Sequence, residues 1–220
     1  SENKSPNIIY ILADDLGYGD VHVLNNASKI PTPNMDRIAN EGAAFVDAHS
    51  GSAVCTPTRY GVITGRYAWR SKLKRGVLNG YSKHLIDPER TTVADLLNDA
   101  GYETACIGKW HLGMDMPLVE NHQKTKFKLA ANKTIENGPN AYGFDYFYGI
   151  SASLDFPPYV FMENDRFVGA TNDSLLQTSF PKYARAGERD PNFSLDDSLD
   201  QITEKAVDYI KKNAENPFFL

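Results

Sequence analysis

The sequence predicts an α/β fold in which a mostly parallel sheet is sandwiched by helices. Three observations carry that expectation. Residues 7–13 (NIIYILA) form a continuous apolar run, the pattern of a strand buried on both faces. Residues 102–107 read as a further strand, and 217–220 as the first residues of another. Segments with helical spacing at 92–101 and 198–213 separate them, so strands and helices alternate along the chain. A length of 220 residues, 41% hydrophobic and 23% charged, suits one globular domain or most of one.

Composition removes several classes of function. The net charge is −5 and no long basic run occurs, which argues against a nucleic-acid partner. No apolar run approaches the roughly 18 residues that a membrane span requires. The chain opens on polar Ser1 to Ser5 and then enters its first apolar run, as a chain whose leader has been removed would. Two cysteines, Cys55 and Cys106, could pair but make no disulfide framework.

The run at 7–13 leads into Asp14-Asp15-Leu16-Gly17-Tyr18-Gly19-Asp20. In open α/β sheets, ligands bind beyond the carboxyl ends of strands. Adjacent carboxylates repel unless positive charge offsets them, and a hard divalent cation with oxygen ligands is the natural candidate. Turn and cap chemistry is the other reading, since Asp and Gly are common turn residues. Thr32-Pro33 then supplies an N-cap and a first-position proline; Met35, Ile38 and Ala39 make an apolar face, and Gly42 ends the helix. Residues 43–48 read as a strand.

The stretch Val54-Cys55-Thr56-Pro57-Thr58-Arg59, running on to Thr64-Gly65-Arg66, reads as a loop feeding a helix. Pro57 suits the first turn and Gly65 the left-handed position past the end. Cys55 then sits at the helix N-terminus, where amide N–H groups and the dipole favour negative charge. Arg59, four residues on, shares its face. A small buried cysteine before an ordinary helix is the alternative. Residues 66–86 are the most basic part of the chain, with Arg66, Arg70, Lys72, Lys74, Arg75, Lys83 and His84. They suit a solvated surface, or the rim of a pocket for an anion.

Thr92-Val93-Ala94-Asp95 resembles a capping box, and Gly101 closes its helix. The strand at 102–107 ends in Gly108-Lys109-Trp110-His111. On extended chain Lys109 and His111 point to one side, placing an ammonium and an imidazole together; a solvated Lys and a structural His are the alternative. Residues 114–141 form a loop-rich excursion. An aromatic strand follows at 142–150, then Ser151-Ala152-Ser153-Leu154-Asp155 and a hairpin around Glu163-Asn164-Asp165. Residues 169–195 give no regular pattern. Residues 198–213 form an amphipathic helix with Leu199, Ile202, Ala206, Val207 and Ile210 on one side.

In this order the stretches resemble the type I sulfatases of the alkaline-phosphatase-like superfamily. The resemblance runs through Asp14-Asp15, Thr32-Pro33-Asn34-Met35-Asp36, Cys55-x-Pro57-x-Arg59 with Thr64-Gly65-Arg66, Gly101-Tyr102-x-Thr104, Gly108-Lys109-Trp110-His111 and Gly143-Phe144-Asp145. It implies a sulfuric ester hydrolase in which a maturation enzyme oxidises Cys55 to Cα-formylglycine. In that chemistry one hydroxyl of the aldehyde hydrate attacks the sulfur of a sulfate ester and the alcohol leaves. Loss of a proton from the second hydroxyl then expels sulfate and restores the aldehyde.

The resemblance also implies roles by position. Asp14 and Asp15, with the modified Cys55, would ligate a divalent cation, usually Ca²⁺ with Mg²⁺ as the alternative. Arg59 would hold the hydrate, Lys109 would bind a sulfate oxygen, and His111 would assist the elimination. Ser153 matches a position that touches sulfate, with Asp155 nearby, although Ile150-Ser151-Ala152-Ser153 departs from the more usual Ile-Pro-Tyr-Ser. The implied substrate is a sulfated carbohydrate or aryl sulfate, and the implied location is exported: periplasmic, secreted or lysosomal.

Family members run well beyond this length, and a later histidine, a later metal-binding pair and a later lysine complete their site. Residues 1–220 are therefore expected to be the N-terminal portion of a single sulfatase catalytic domain, truncated at the C-terminus, with the remaining strands and a C-terminal subdomain outside this sequence. Two rival readings stand beside the sulfatase. One is a phosphonate or phosphate monoester hydrolase of the same superfamily, and the other is a non-catalytic binder of sulfated glycans.

Overall fold

A computed structural model describes residues 5–119 and 128–220. The first four residues of the polar N-terminus and residues 120–127 of the loop-rich excursion lie outside it. The chain divides into two compact units, Ser1–Tyr10 with Gly51–Leu220, and Ile11–Ser50.

The smaller unit holds helix α1 (Pro33–Glu41), which begins at the expected proline. Thr32 does not cap it with its side chain. Its hydroxyl instead donates to Asp36 Oδ1 at 3.0 Å and accepts from the His22 N–H at 2.9 Å. Gly42 ends the helix as expected, at φ −130° and not in the left-handed region. The strand expected at 43–48 is absent. Phe45 and Val46 are exposed there, and extended chain becomes a strand only where a neighbour satisfies its backbone groups.

The larger unit carries helix α2 (Cys55–Thr64), helix α3 (Val93–Asp99), strands β1 (Glu103–Lys109), β2 (Tyr146–Ile150), β3 (Met162–Glu163) and β4 (Arg166–Phe167), then β5 (Asp173–Leu175), β6 (Gly187–Arg189), helix α4 (Ser198–Lys212) and β7 (Phe218–Phe219). Five strands form one sheet in the order β4-β3-β2-β1-β7. β1 pairs in parallel with both β2 and β7, while β3 and β4 add an antiparallel hairpin at one edge. The hairpin at 160–168 and the terminal strand are where the sequence puts them. The antiparallel pair β5–β6 lies within the segment that shows no pattern in sequence.

The run at 7–13 corrects an expectation. It is extended and joins β7 through a parallel bridge between Ile8 and Phe219. The bonds are Ile8 N–H to Phe218 O at 2.8 Å, Leu220 N–H to Ile8 O at 2.9 Å and Tyr10 N–H to Leu220 O at 2.7 Å. Yet Ile9, Tyr10 and Ile11 are exposed, so among the described residues this is an edge segment and not a strand buried on both faces. Burial on both faces needs covering layers as well as an apolar sequence.

The helices do lie on both faces of the sheet, as the alternation of β2 shows. Phe147 belongs to the core that takes in Tyr60 and Ile63 of α2 and Ala94 and Leu97 of α3. Tyr146, Tyr148 and Ile150 belong to a second core that includes Ile202 of α4. Successive strand side chains point to opposite faces, so α4 covers one face and α2 with α3 the other.

Two of the quoted motifs turn out to be joints of this framework. Thr104 Oγ1 donates to the Gly143 carbonyl at 2.6 Å, and the Asp145 carboxylate accepts from the Thr104 N–H at 3.0 Å and from Asn98. They tie α3, β1 and the start of β2 into one corner. The capping box at Thr92 and Asp95 forms as expected, with Thr92 N–H to Asp95 Oδ2 at 2.8 Å and Asp95 N–H to Thr92 Oγ1 at 3.2 Å.

Candidate active site

Helix α2 begins at Cys55, so the cysteine occupies the helix N-terminus. Gly65 stops the helix at φ 65° and donates its N–H to the Gly61 carbonyl at 2.9 Å. Cys55 and Cys106 are both free, so the pairing that the sequence allows is not made. Burial pushes the Cys106 thiol up to about 12, with the positive charge of Arg59 pulling against it.

The parallel register of β1 and β2 brings their carboxyl ends level, with Lys109 opposite Ile150. Pairing continues past both strands: the Trp110 N–H donates to Ile150 O and the His111 N–H to Ser151 O, each at 3.0 Å. The approach is close because Gly108 and Gly149 face each other. A Cβ on Gly149 would stand 1.8 Å from the Gly108 carbonyl oxygen.

Helix α2 is joined to this edge at two points. Arg59 Nη1 donates to the Lys109 carbonyl at 2.5 Å. Thr56 Oγ1 donates to the His111 carbonyl at 3.0 Å and accepts from the Leu78 N–H at 3.2 Å. The structure thus brings together Cys55, Arg59, Lys109 and His111 from two segments about fifty residues apart.

His111 is fully buried and sits at φ 56°, the left-handed region that non-glycine residues rarely enter. That conformation costs about 1–3 kcal/mol. The backbone bonds to Ser151 and from Thr56 offset it, at about 0.5–1.5 kcal/mol net each. The left-handed turn also ends the strand alternation at Lys109, so the expectation that Lys109 and His111 share a side on extended chain does not apply. The His111 ring meets the Leu78 carbonyl through Nε2 at 2.7 Å and lies 5.9 Å from the Phe156 ring.

Beyond β2 the chain carries Ser153 and Asp155, both half-buried. Ser153 O accepts from the Phe156 N–H at 2.9 Å, which turns the loop. Asp155 forms a short ion pair with Arg185. The Arg185 guanidinium stacks 4.0 Å from the centre of the Phe156 ring, whose other neighbour is His111. Thr56, Leu78, Phe156 and Arg185 escape sequence reasoning. Thr56 fills an unspecified position of the Cys-x-Pro-x-Arg pattern, Leu78 acts through its backbone, and Arg185 lies in the segment without periodicity. From the basic region at 66–86, Leu78 reaches this edge through its backbone N–H and carbonyl.

Asp14 and Asp15 lie in the smaller unit, in a turn just after the extended N-terminal segment, and both are exposed. Their oxygens are the right donor type for a hard cation. Ca²⁺, however, takes roughly six to eight oxygens, and among the described residues no group of three or more His, Cys, Asp or Glu side chains could hold a metal. The described donors therefore fit a cation in kind but not in number, and no catalytic step is assigned to it.

Comparison with known proteins decides the family. The Sulfatase family model matches residues 6–220. The chain belongs to the sulfatase family. It is 34% identical to an N-acetylgalactosamine-6-O-sulfatase of Bacteroides thetaiotaomicron, over 99% of this chain and 47% of that protein. It is 31% identical to arylsulfatase G of Rattus norvegicus, over 98% of this chain and 40% of that one. The sulfatase chain thus spans less than half the length of these curated relatives.

A solved Bacteroides thetaiotaomicron structure, described under the metabolism of multiple glycosaminoglycans, superposes with a TM-score of 0.83. It is 33% identical and matches 99% of this chain and 50% of its own. The structure of Ps i-CgsB in complex with k-i-k-neocarrahexaose gives a TM-score of 0.68 at 26% identity, over 99% of this chain and 44% of that one. The mixed, mostly parallel sheet with its helices is therefore the alkaline-phosphatase-like fold of sulfatases. No described helix is long and apolar enough to cross a membrane.

Proposed function

We propose that the protein hydrolyses sulfate esters of a sulfated glycan, with position 55 as the nucleophile after oxidation of Cys55 to Cα-formylglycine by a maturation enzyme. The observation that carries this reading is the joint between α2 and the end of β1. Arg59 and Thr56 fasten the Cys55 helix N-terminus to Lys109 and His111 through their carbonyls. Cys55 is a free thiol, half-buried at an N-terminus that favours an anionic oxygen. Once modified, position 55 would supply an oxygen nucleophile toward the sulfur of the ester.

The remaining roles belong to this chain's own residues. Arg59 supplies a fixed positive charge beneath position 55, and Lys109 an ammonium for a sulfate oxygen. His111 accepts a proton during release of sulfate. Ser153 and Asp155 line the approach from the end of β2, where Arg185 holds the Asp155 carboxylate in place. Asp14 and Asp15 would contribute oxygen ligands to a divalent cation. The glycan substrate draws support from the N-acetylgalactosamine-6-O-sulfatase name of one relative, from the glycosaminoglycan metabolism under which a similar structure is described, and from the k-i-k-neocarrahexaose held by Ps i-CgsB. Export of the protein is consistent with a polymeric glycan substrate.

Two measurements on the whole protein from its native source test this. Mass analysis of the peptide containing Cys55 is expected to show an aldehyde in place of the thiol; an unmodified thiol would favour a sulfated-glycan binder. Parallel kinetics on matched sulfate and phosphonate esters are expected to favour sulfate. A strong preference for phosphonate would reassign the activity.

A further inference from the structure

We infer that Thr56 is a positioning residue which, acting through the backbone of Leu78, helps to hold His111 in a single tautomer. The catalytic meaning of this inference rests on the base role proposed above for His111. Its geometry rests on three hydrogen bonds that close a cycle: Thr56 Oγ1 to His111 O at 3.0 Å, Leu78 N to Thr56 Oγ1 at 3.2 Å, and His111 Nε2 to Leu78 O at 2.7 Å.

The direction of each bond follows from what the groups can do. A backbone carbonyl only accepts, so the contact at Leu78 O requires the proton on Nε2. A neutral imidazole has one N–H, so Nδ1 is the nitrogen that accepts. The Leu78 N–H can only donate, so it takes a lone pair of the Thr56 hydroxyl, whose own proton goes to His111 O. Only a hydroxyl serves both partners at that point. Thr56 and His111 are fully buried, so solvent offers no substitute for the hydroxyl. The Phe156 ring, 5.9 Å from the imidazole, bounds another side of it.

The cycle therefore ties the conformation of the helix N-terminus to the protonation pattern of a base at the end of β1. Thr56, beside the nucleophile position, reaches His111 at its carbonyl and, by way of the Leu78 backbone, at its ring. Without the hydroxyl, Leu78 loses the N–H bond that anchors its backbone, and the carbonyl on the other side of its Cα is held less firmly against the imidazole. The ring then loses part of what selects its Nε2–H tautomer, and the other tautomer presents N–H where a lone pair is needed.

The test is nitrogen-15 NMR of the protein labelled at histidine, with turnover of a sulfate ester measured on the same samples. In the unaltered protein near neutral pH, His111 is expected as a neutral ring protonated on Nε2 alone. Thr56→Val is expected to give mixed tautomers and to lower turnover about 10- to 100-fold, by analogy with the loss of a partner that orients a metal-bound histidine. Thr56→Ser, which keeps the hydroxyl, is expected to restore both. A proton on Nδ1, or a ring protonated on both nitrogens, in the unaltered protein overturns the inference whether or not Thr56→Val folds. So does a Thr56→Val protein whose tautomer signal is unchanged. The tautomer is read without catalysis, so a pinned Nε2–H ring in a protein that leaves sulfate esters intact would refute the proposed function and leave this inference standing.

Discussion

Arg59 in helix α2 donates from Nη1 to the backbone carbonyl of Lys109 at 2.5 Å, across fifty residues of sequence. The guanidinium thereby belongs to two motifs at once. It lies one helical turn below Cys55, and it holds the strand end from which Lys109 and His111 emerge.

Arg59→Ala is expected to destabilise the fold by about 1–3 kcal/mol, because it strands a partly buried carbonyl. Arg59→Lys should recover part of that stability, since an ammonium can donate to the same oxygen, but not the turnover. One point charge on a flexible stem does not reproduce a planar donor fork. Denaturant midpoints and steady-state rates on the two variants separate the effects.

The two cysteines are expected to differ in kind. With Cys106 up at about 12, its thiolate fraction at pH 8 is on the order of one in ten thousand. It should resist alkylation in the native protein and react on unfolding. Cys55, wherever it persists as a thiol, should alkylate in the native protein. Cys55→Ala should abolish turnover and leave the melting temperature nearly unchanged, whereas Cys106→Ala should lower it. Peptide mapping after alkylation, thermal melts and a turnover assay on the two variants check these outcomes.

Asp115 braces the loop after His111 against residues 82–86. Its carboxylate meets His84 Nδ1 at 3.0 Å and accepts from Asn137 Nδ2 at 2.8 Å. Burial works to raise its pKa, but the hydrogen bonds from Asn137 and His84 outweigh burial and hold the carboxyl below its ordinary value. A depressed carboxylate contributes stability above its unfolded pKa of about 3.9, and that stability is lost as pH falls through the lower folded value. Asp115→Asn should therefore lower the melting temperature at pH 7 and converge with the unaltered protein as pH drops below about 4. A gap between the melting temperatures that stays constant over that range would show that Asp115 acts by shape alone.

Gly149→Ala should be the most damaging glycine change in the sheet. Its methyl would meet the Gly108 carbonyl oxygen at 1.8 Å in an adjacent, hydrogen-bonded strand, where neither backbone can yield. The expected cost exceeds about 4 kcal/mol, the range of severe core lesions. Gly76→Ala is the control: its φ is 67° but nothing lies within 4 Å, so only the modest left-handed penalty of about 1–2 kcal/mol remains. Equal losses in the two variants would contradict the close approach of β1 and β2.

Elements whose signals are local could be read directly from the residues. The helix at Cys55 needs only its proline and Gly65, the capping box at Thr92 only Asp95, and the helix at 198–212 only its periodicity. The family, too, was legible from short motifs in order. The remaining features depend on groups distant in sequence. The run at 7–13 is as apolar as a buried strand, yet its pairing partner lies more than two hundred residues away and determines how far it is covered. The strand expected at 43–48 lacks such a partner among the described residues, and β5 with β6 exists through mutual pairing that no periodicity announces. At the site, spacing singled out Cys55, Arg59, Lys109 and His111 but not their joints. Thr56 looks like filler in its motif, and Leu78 contributes through backbone groups that nearly every residue possesses. Side-chain chemistry can be read from sequence because it is local, whereas the orientation of a backbone carbonyl is set only once the fold has closed around it.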